Sequence, residues 1–152
     1  LFYYYFNSKD DVIDAISQKY NEVFNEMINS EMNEVIYEDR LHHFVENCVH
    51  SFRTLNNRLN GNGKADLSAL INKSKQEALN VSSAGLAKML EEGNRSGKLD
   101  IAEPKYFARI LISGINALIE DGEASDDEVI TMISDMIQRS GKDDENVRKQ
   151  QQ

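Results

Sequence analysis

Apolar residues recur along this chain at three- and four-residue steps almost from end to end, and a single proline, Pro104, stands among 152 residues. An α-helix returns to the same side about every 3.6 residues, so this spacing collects the apolar side chains on one face of successive helices. Val12, Ile13, Ile16, Tyr20, Val23, Phe24, Met27 and Ile28 make the first stripe, and Ser8 with Asp11 reads as the cap that opens it. Leu41, Phe44, Val45, Cys48, Val49, Phe52, Leu55 and Leu59 make the second, from near Tyr37 to the turn signal Asn60-Gly61-Asn62-Gly63. Leu67, Leu70 and Ile71 predict a short helix over 65–73. A longer helix with Leu79, Leu86, Met89 and Leu90 follows it, weakened in its first half by Ser82, Ser83 and Gly85.

Pro104 fits the first turn of the next helix, whose stripe runs from Phe107 to Ile119 before Asp121-Gly122. Ser125-Asp126-Asp127-Glu128 is a capping box that opens a last helix carrying Val129, Ile130, Ile133, Met136 and Ile137, to about Arg139. No segment alternates with period two between hairpin turns, and no internal repeat is visible, so the expected fold class is all-α.

A chain of 152 residues with 40% hydrophobic and 28% charged residues suits one compact domain. No apolar run approaches the roughly 20 residues that cross a bilayer, and Leu1 to Phe6 has neither the basic front nor the cleavage site of a signal peptide. The expected setting is cytoplasmic, with no membrane partner. The lone Cys48 has no second cysteine to pair with and falls inside an apolar stripe, as a small core residue does. A net charge of -9 argues against a phosphate-binding surface within these residues. The chain opens on leucine inside an aromatic cluster, which implies an upstream start.

The stretch Leu1 to Ile16, LFYYYFNSKDDVIDAI, resembles the end of the TetR-family helix-turn-helix, where a recognition helix finishes in an aromatic cluster and a short turn with a lysine opens a long connecting helix. Tyr3 stands at the family's recurrent tyrosine, Phe6 at the packing phenylalanine, Ser8 at the small polar residue and Lys9 at the lysine. Phe2, Tyr5 and Val12 depart from the commonest residues while keeping size or polarity. A second likeness runs from Leu90 to Leu99 and on to Pro104, resembling the family's passage into its first dimerisation helix, although Glu103 caps less well than aspartate.

The resemblance implies a TetR-like C-terminal helical domain: residues 1–7 end the DNA-binding motif, 8–140 form the effector-binding and dimerisation domain, and 141–152 form a disordered tail. It implies a ligand-responsive transcriptional regulator, a repressor released from operator DNA by a small apolar effector, working as a homodimer. Tyr3, Tyr4 and Lys9 would contact phosphates, which fixes register without reading sequence. Base-reading residues would lie upstream of Leu1. The last two helices would meet a second copy through Phe107, Ile110, Leu111, Gly114, Ile115, Leu118, Ile130, Ile133, Met136 and Ile137. Phe24, Met27, Phe44, Cys48, Phe52 and Met89 would line the effector pocket.

The same spacings equally serve packing within one subunit's core. His42, Glu46 and His50 share a helical face at four-residue steps, the spacing of a metal chelate, but they stand off the apolar stripe and read as a solvated face, so no metal or cofactor is expected. An enzyme is not expected either: Asn60-Gly61-Asn62-Gly63-Lys64 lacks the spacing and the following Ser or Thr of a phosphate-binding loop. The competing reading is a helical adaptor that binds another protein through an exposed apolar stripe.

Overall fold

The computed structural model describes residues 7–60 and 68–141. Among them are five helices: α1 (Lys9–Ile28), α2 (Tyr37–Asn60), α3 (Ser68–Arg95), α4 (Pro104–Asp121) and α5 (Asp126–Arg139). The fold is all-α, with one isolated antiparallel bridge between Leu99 and Gly141. No helix of the described residues is long and apolar enough to cross a membrane.

The helix ends follow the local chemistry of the sequence. Ser8 caps α1 by accepting from the Asp11 N–H at 3.2 Å, while the Asp11 carboxylate accepts from the Asn7 N–H, one residue outside the usual capping box. At the other end of α1, the Asn47 amide of α2 donates to the free carbonyls of Ile28 (3.3 Å) and Ser30 (2.9 Å). Pro104 sits in the first turn of α4 and Glu103 offers no side-chain cap, as its chemistry suggests. Both halves of the Ser125–Glu128 box are made at the start of α5. Gly97 and Gly122 take left-handed backbone at the ends of α3 and α4, with φ of 76° and 74°.

The spacing predicts two helices where the structure has one. α3 runs unbroken for 28 residues through Ser82, Ser83 and Gly85. The Ser82 hydroxyl donates back to the Ala78 carbonyl at 2.5 Å, so it is satisfied inside the helix. Gly85 is there because of its neighbour, since a Cβ would stand 2.7 Å from Cζ of Phe44. Tertiary packing overrides weak propensity at both positions. Leu67 lies outside the described residues.

α3 is the central strut, packed against α1 and α2 on one side and α4 on another, while α5 covers α2 and α4. Asp14 pairs with Lys73, Ser17 meets Ser74, and further along both helices Asn25 and Ile28 line one cleft with Val81 and Gly85, so α1 and α3 run in the same direction. Among the described helices α1 touches only α2 and α3. One continuous core joins α1 to α5, with Cys48, Val49, Leu86, Leu90, Ala108, Ile115 and Val129 fully enclosed. Between α3 and α4, the Asn94 side chain clips the loop by accepting from the Ile101 N–H (3.0 Å) and donating to the Ile101 carbonyl (2.8 Å). Gly141, placed by sequence at the head of the tail, is half-buried beside Leu99.

Candidate functional site

Of the three expected phosphate contacts, Tyr3 and Tyr4 lie outside the described residues. Lys9 is the first residue of α1 and is exposed, one position after the Ser8 cap.

The six expected pocket residues separate into three settings. Phe24 and Met27 border a gap of about 10 Å³ between α1 and α2, which is a packed seam with no room for a ligand. Cys48 and Phe52 are sealed in the core at 0% and 1% exposure, and Phe24 and Phe52 meet edge to face with centroids 5.0 Å apart. Phe44 and Met89 instead floor a cleft of about 530 Å³ between α1, α2 and α3. That volume lies in the range of small-molecule sites, roughly 300–1,000 Å³.

Buried Ile28, Phe44 and Met89 make the base of this cleft, and Asn25, Arg40 and Lys88 stand at its rim. The rim is electrically uneven. Arg40 is neutralised by a bidentate pair with Glu92, at 2.6 and 3.3 Å, and this guanidinium holds the Glu92 carboxyl below the usual range. Lys88 makes no hydrogen bond or ion pair among the described residues. Periodicity finds the floor because its residues lie on apolar stripes. Lys88 and Asn25 are single polar residues on otherwise polar faces, and no sequence signal marks them.

A second cleft, of about 450 Å³, lies between the start of α2, the α3–α4 loop and the end of α5. Leu41, Val45, Leu99 and Ile137 line it, and its edge is closed by two pairs: Glu38 with Lys98 at 2.8 Å, and the His42 ring with the Ser134 hydroxyl at 3.1 Å. The lysine of this cleft, Lys98, is already paired, unlike Lys88 of the first cleft.

Tyr37 fastens α2 to α3 between the two clefts. Its hydroxyl donates to the Met89 carbonyl at 2.5 Å, and Arg40 lies over its ring, 5.8 Å from the centroid. Burial, reinforced by the nearby Glu92, pushes its pKa up to about 12. Burial also pushes the Cys48 thiol up, which keeps it protonated and unreactive. In the α1–α2 loop Glu34 pairs with His43, and its carboxyl is lowered first by its own backbone N–H and further by His43.

The expected dimer residues divide by burial. Leu111, Ile115, Ile130, Ile133 and Ile137 are buried within the chain's own core, and Phe107, Gly114 and Leu118 are half-buried. Ile110 and Met136 face outward at 68% and 42% exposure, joined by Tyr106 at 70% and Met132 at 45%. His42 reaches Glu46 at 3.0 Å and His50 faces Asp126 at 3.8 Å, and among the described residues no three His, Cys, Asp or Glu side chains converge.

Compared with known proteins, the chain matches no family model, no curated protein and no solved structure.

Proposed function

We propose that this chain is the effector-binding and dimerisation part of a cytoplasmic, ligand-responsive transcriptional regulator of the TetR type, a repressor released from operator DNA by a small effector. The observation that carries the reading is the segment LFYYYFNSKDDV, whose aromatic cluster and turn lysine lead directly into α1. Two features of the helical body support it. α1 borders the 530 Å³ cleft through Asn25, Ile28 and Asn29, and among the described helices it rests on only α2 and α3. A ligand in that cleft therefore touches the element that would carry the DNA-reading unit.

The coupling follows from that placement. A ligand that contacts α1 and α3 together favours one tilt of α1, and the tilt sets the spacing of the two recognition helices in a dimer. The equilibrium moves only by the ligand's preference for the tilted state. Tyr106 and Ile110 on α4, with Met132 and Met136 on α5, supply apolar area to a second copy, and two-fold pairing is the usual arrangement.

The test is binding of the full-length protein to promoter DNA beside its own gene across a salt series. The expected result is sequence-selective, salt-sensitive binding that a ligand relieves. Equal affinity for promoter and random DNA at every salt would refute the regulator and leave the adaptor reading.

A further inference from the structure

We infer that the cleft between α1, α2 and α3 binds an apolar carboxylate, its hydrocarbon body on Ile28, Phe44 and Met89 and its acid group against Lys88 and Asn25. As the identity of the effector this rests on the regulator reading; as a binding site it stands without it.

The charge pattern decides the ligand class. In a chain of net charge -9, Lys73, Lys75 and Lys98 each reach an acidic partner, at Asp14, Glu120 and Glu38. Lys88 lines the cleft and has no such partner among the described residues. The other cation at the rim, Arg40, is already matched by both oxygens of Glu92. The cleft thus keeps one uncompensated positive charge against an otherwise acidic molecule, and a cationic ligand would meet repulsion there.

Hydrogen bonding points the same way. The Asn29 amide donates to the backbone carbonyl of Asn25 at 2.9 Å and to its side-chain oxygen at 3.4 Å. The Asn25 side-chain oxygen is therefore occupied, and its NH₂ group is left to donate. The Lys88 ammonium and the Asn25 amide N–H₂ line one cleft as exposed donors with no protein acceptor among the described residues, and a carboxylate, an acceptor with two oxygens, can take both. The buried floor sets the remainder of the ligand as hydrocarbon, with Gly85 leaving room for the Phe44 ring against the α3 backbone.

The experiment is calorimetric titration of the full-length protein with dodecanoate below its micelle concentration, and with dodecanol as the neutral molecule of the same length. Dodecanoate is expected to bind about tenfold or more tightly than dodecanol, the size of one contact to a charged group. Lys88→Met should remove that margin and leave dodecanol unchanged. Ala84→Trp, at an exposed position on the cleft wall, should abolish both while helix content and melting stay as in the parent. Equal affinity for acid and alcohol, or an acid margin that survives Lys88→Met, would overturn the inference. So would loss of binding on Lys98→Met, which lines the other cleft. Dodecanoate binding without any sequence-selective DNA binding would remove the regulator reading and keep the site. Promoter binding relieved only by neutral ligands would keep the regulator and remove the acid.

Discussion

Phe44 lies so close to the backbone of α3 that a Cβ at Gly85 would stand 2.7 Å from its Cζ and 3.2 Å from its Cε2. Gly85→Ala therefore sets two effects against each other. Alanine in a helix interior gains about 1 kcal/mol over glycine, and overpacking a core aromatic costs about 1–3 kcal/mol. The clash should win, because Phe44 is only 3% exposed and its ring is rigid. Chemical denaturation is expected to show a net loss of about 1 kcal/mol, largely recovered in Gly85→Ala with Phe44→Leu. A stabilised single variant would show that the ring moves freely.

Tyr37 gives the protein an alkaline limit. In the folded state its hydroxyl holds a proton up to about 12, against about 10 in an unfolded chain, so the native state binds more protons between those values. Its contribution is complete below pH of about 10 and is lost as pH rises toward 12, by about 2–3 kcal/mol in all. Denaturation midpoints followed across that window should fall in the parent and flatten in Tyr37→Phe. At neutral pH the same variant should lose about 1 kcal/mol with the hydrogen bond to Met89. An equal alkaline fall in both proteins would mean that other groups set the limit.

Cys48 reports global opening. With 0% exposure and a thiol pushed upward by burial, it should resist a thiol-specific reagent in the native state and react only at the rate at which the core opens. The labelling rate is expected to track denaturant-dependent stability. Rapid labelling of the folded protein would place an opening between α1 and α2 that the packed Phe24–Phe52 contact does not allow.

What was legible in the sequence was whatever repeats along one helix. The stripe from Leu41 to Leu59 gave α2, and the Ser125–Glu128 box marked the start of α5, because each is a local pattern with a local cause. The continuity of α3 was not legible, since Gly85 reads as a breaker until Phe44, forty-one positions earlier, is seen against it. The cleft was half legible for the same reason. Phe44 and Met89 share the apolar spacing of the core, yet nothing local separates them from Cys48 and Phe52, which the fold seals away. Lys88 and Asn25 gain their meaning only from lining one cleft from two different helices.

The seam between α1 and α3 is where the core is chemically weakest. Ser17 and Ser74 are buried at 0% and 3% exposure, yet their hydroxyls are 3.4 Å apart, at the long limit of a hydrogen bond. One turn further along the same two helices, Asn21 and Glu77 each carry a buried oxygen without a partner among the described residues. Polar groups so placed return little of their desolvation cost, and removing both members of a weak buried pair is often neutral or stabilising. Ser17→Ala with Ser74→Ala should raise stability by about 1 kcal/mol, because alanine is also the better helix former at both positions. In the regulator reading, that gain holds α1 against α3 and opposes its tilt, so release from promoter DNA should require more ligand while ligand-free DNA binding is kept. Denaturation and a ligand dose series on DNA measure the two effects separately. A less stable double variant would mean that the serine pair holds the seam together, and an unchanged dose response in a stabilised one would uncouple the seam from release.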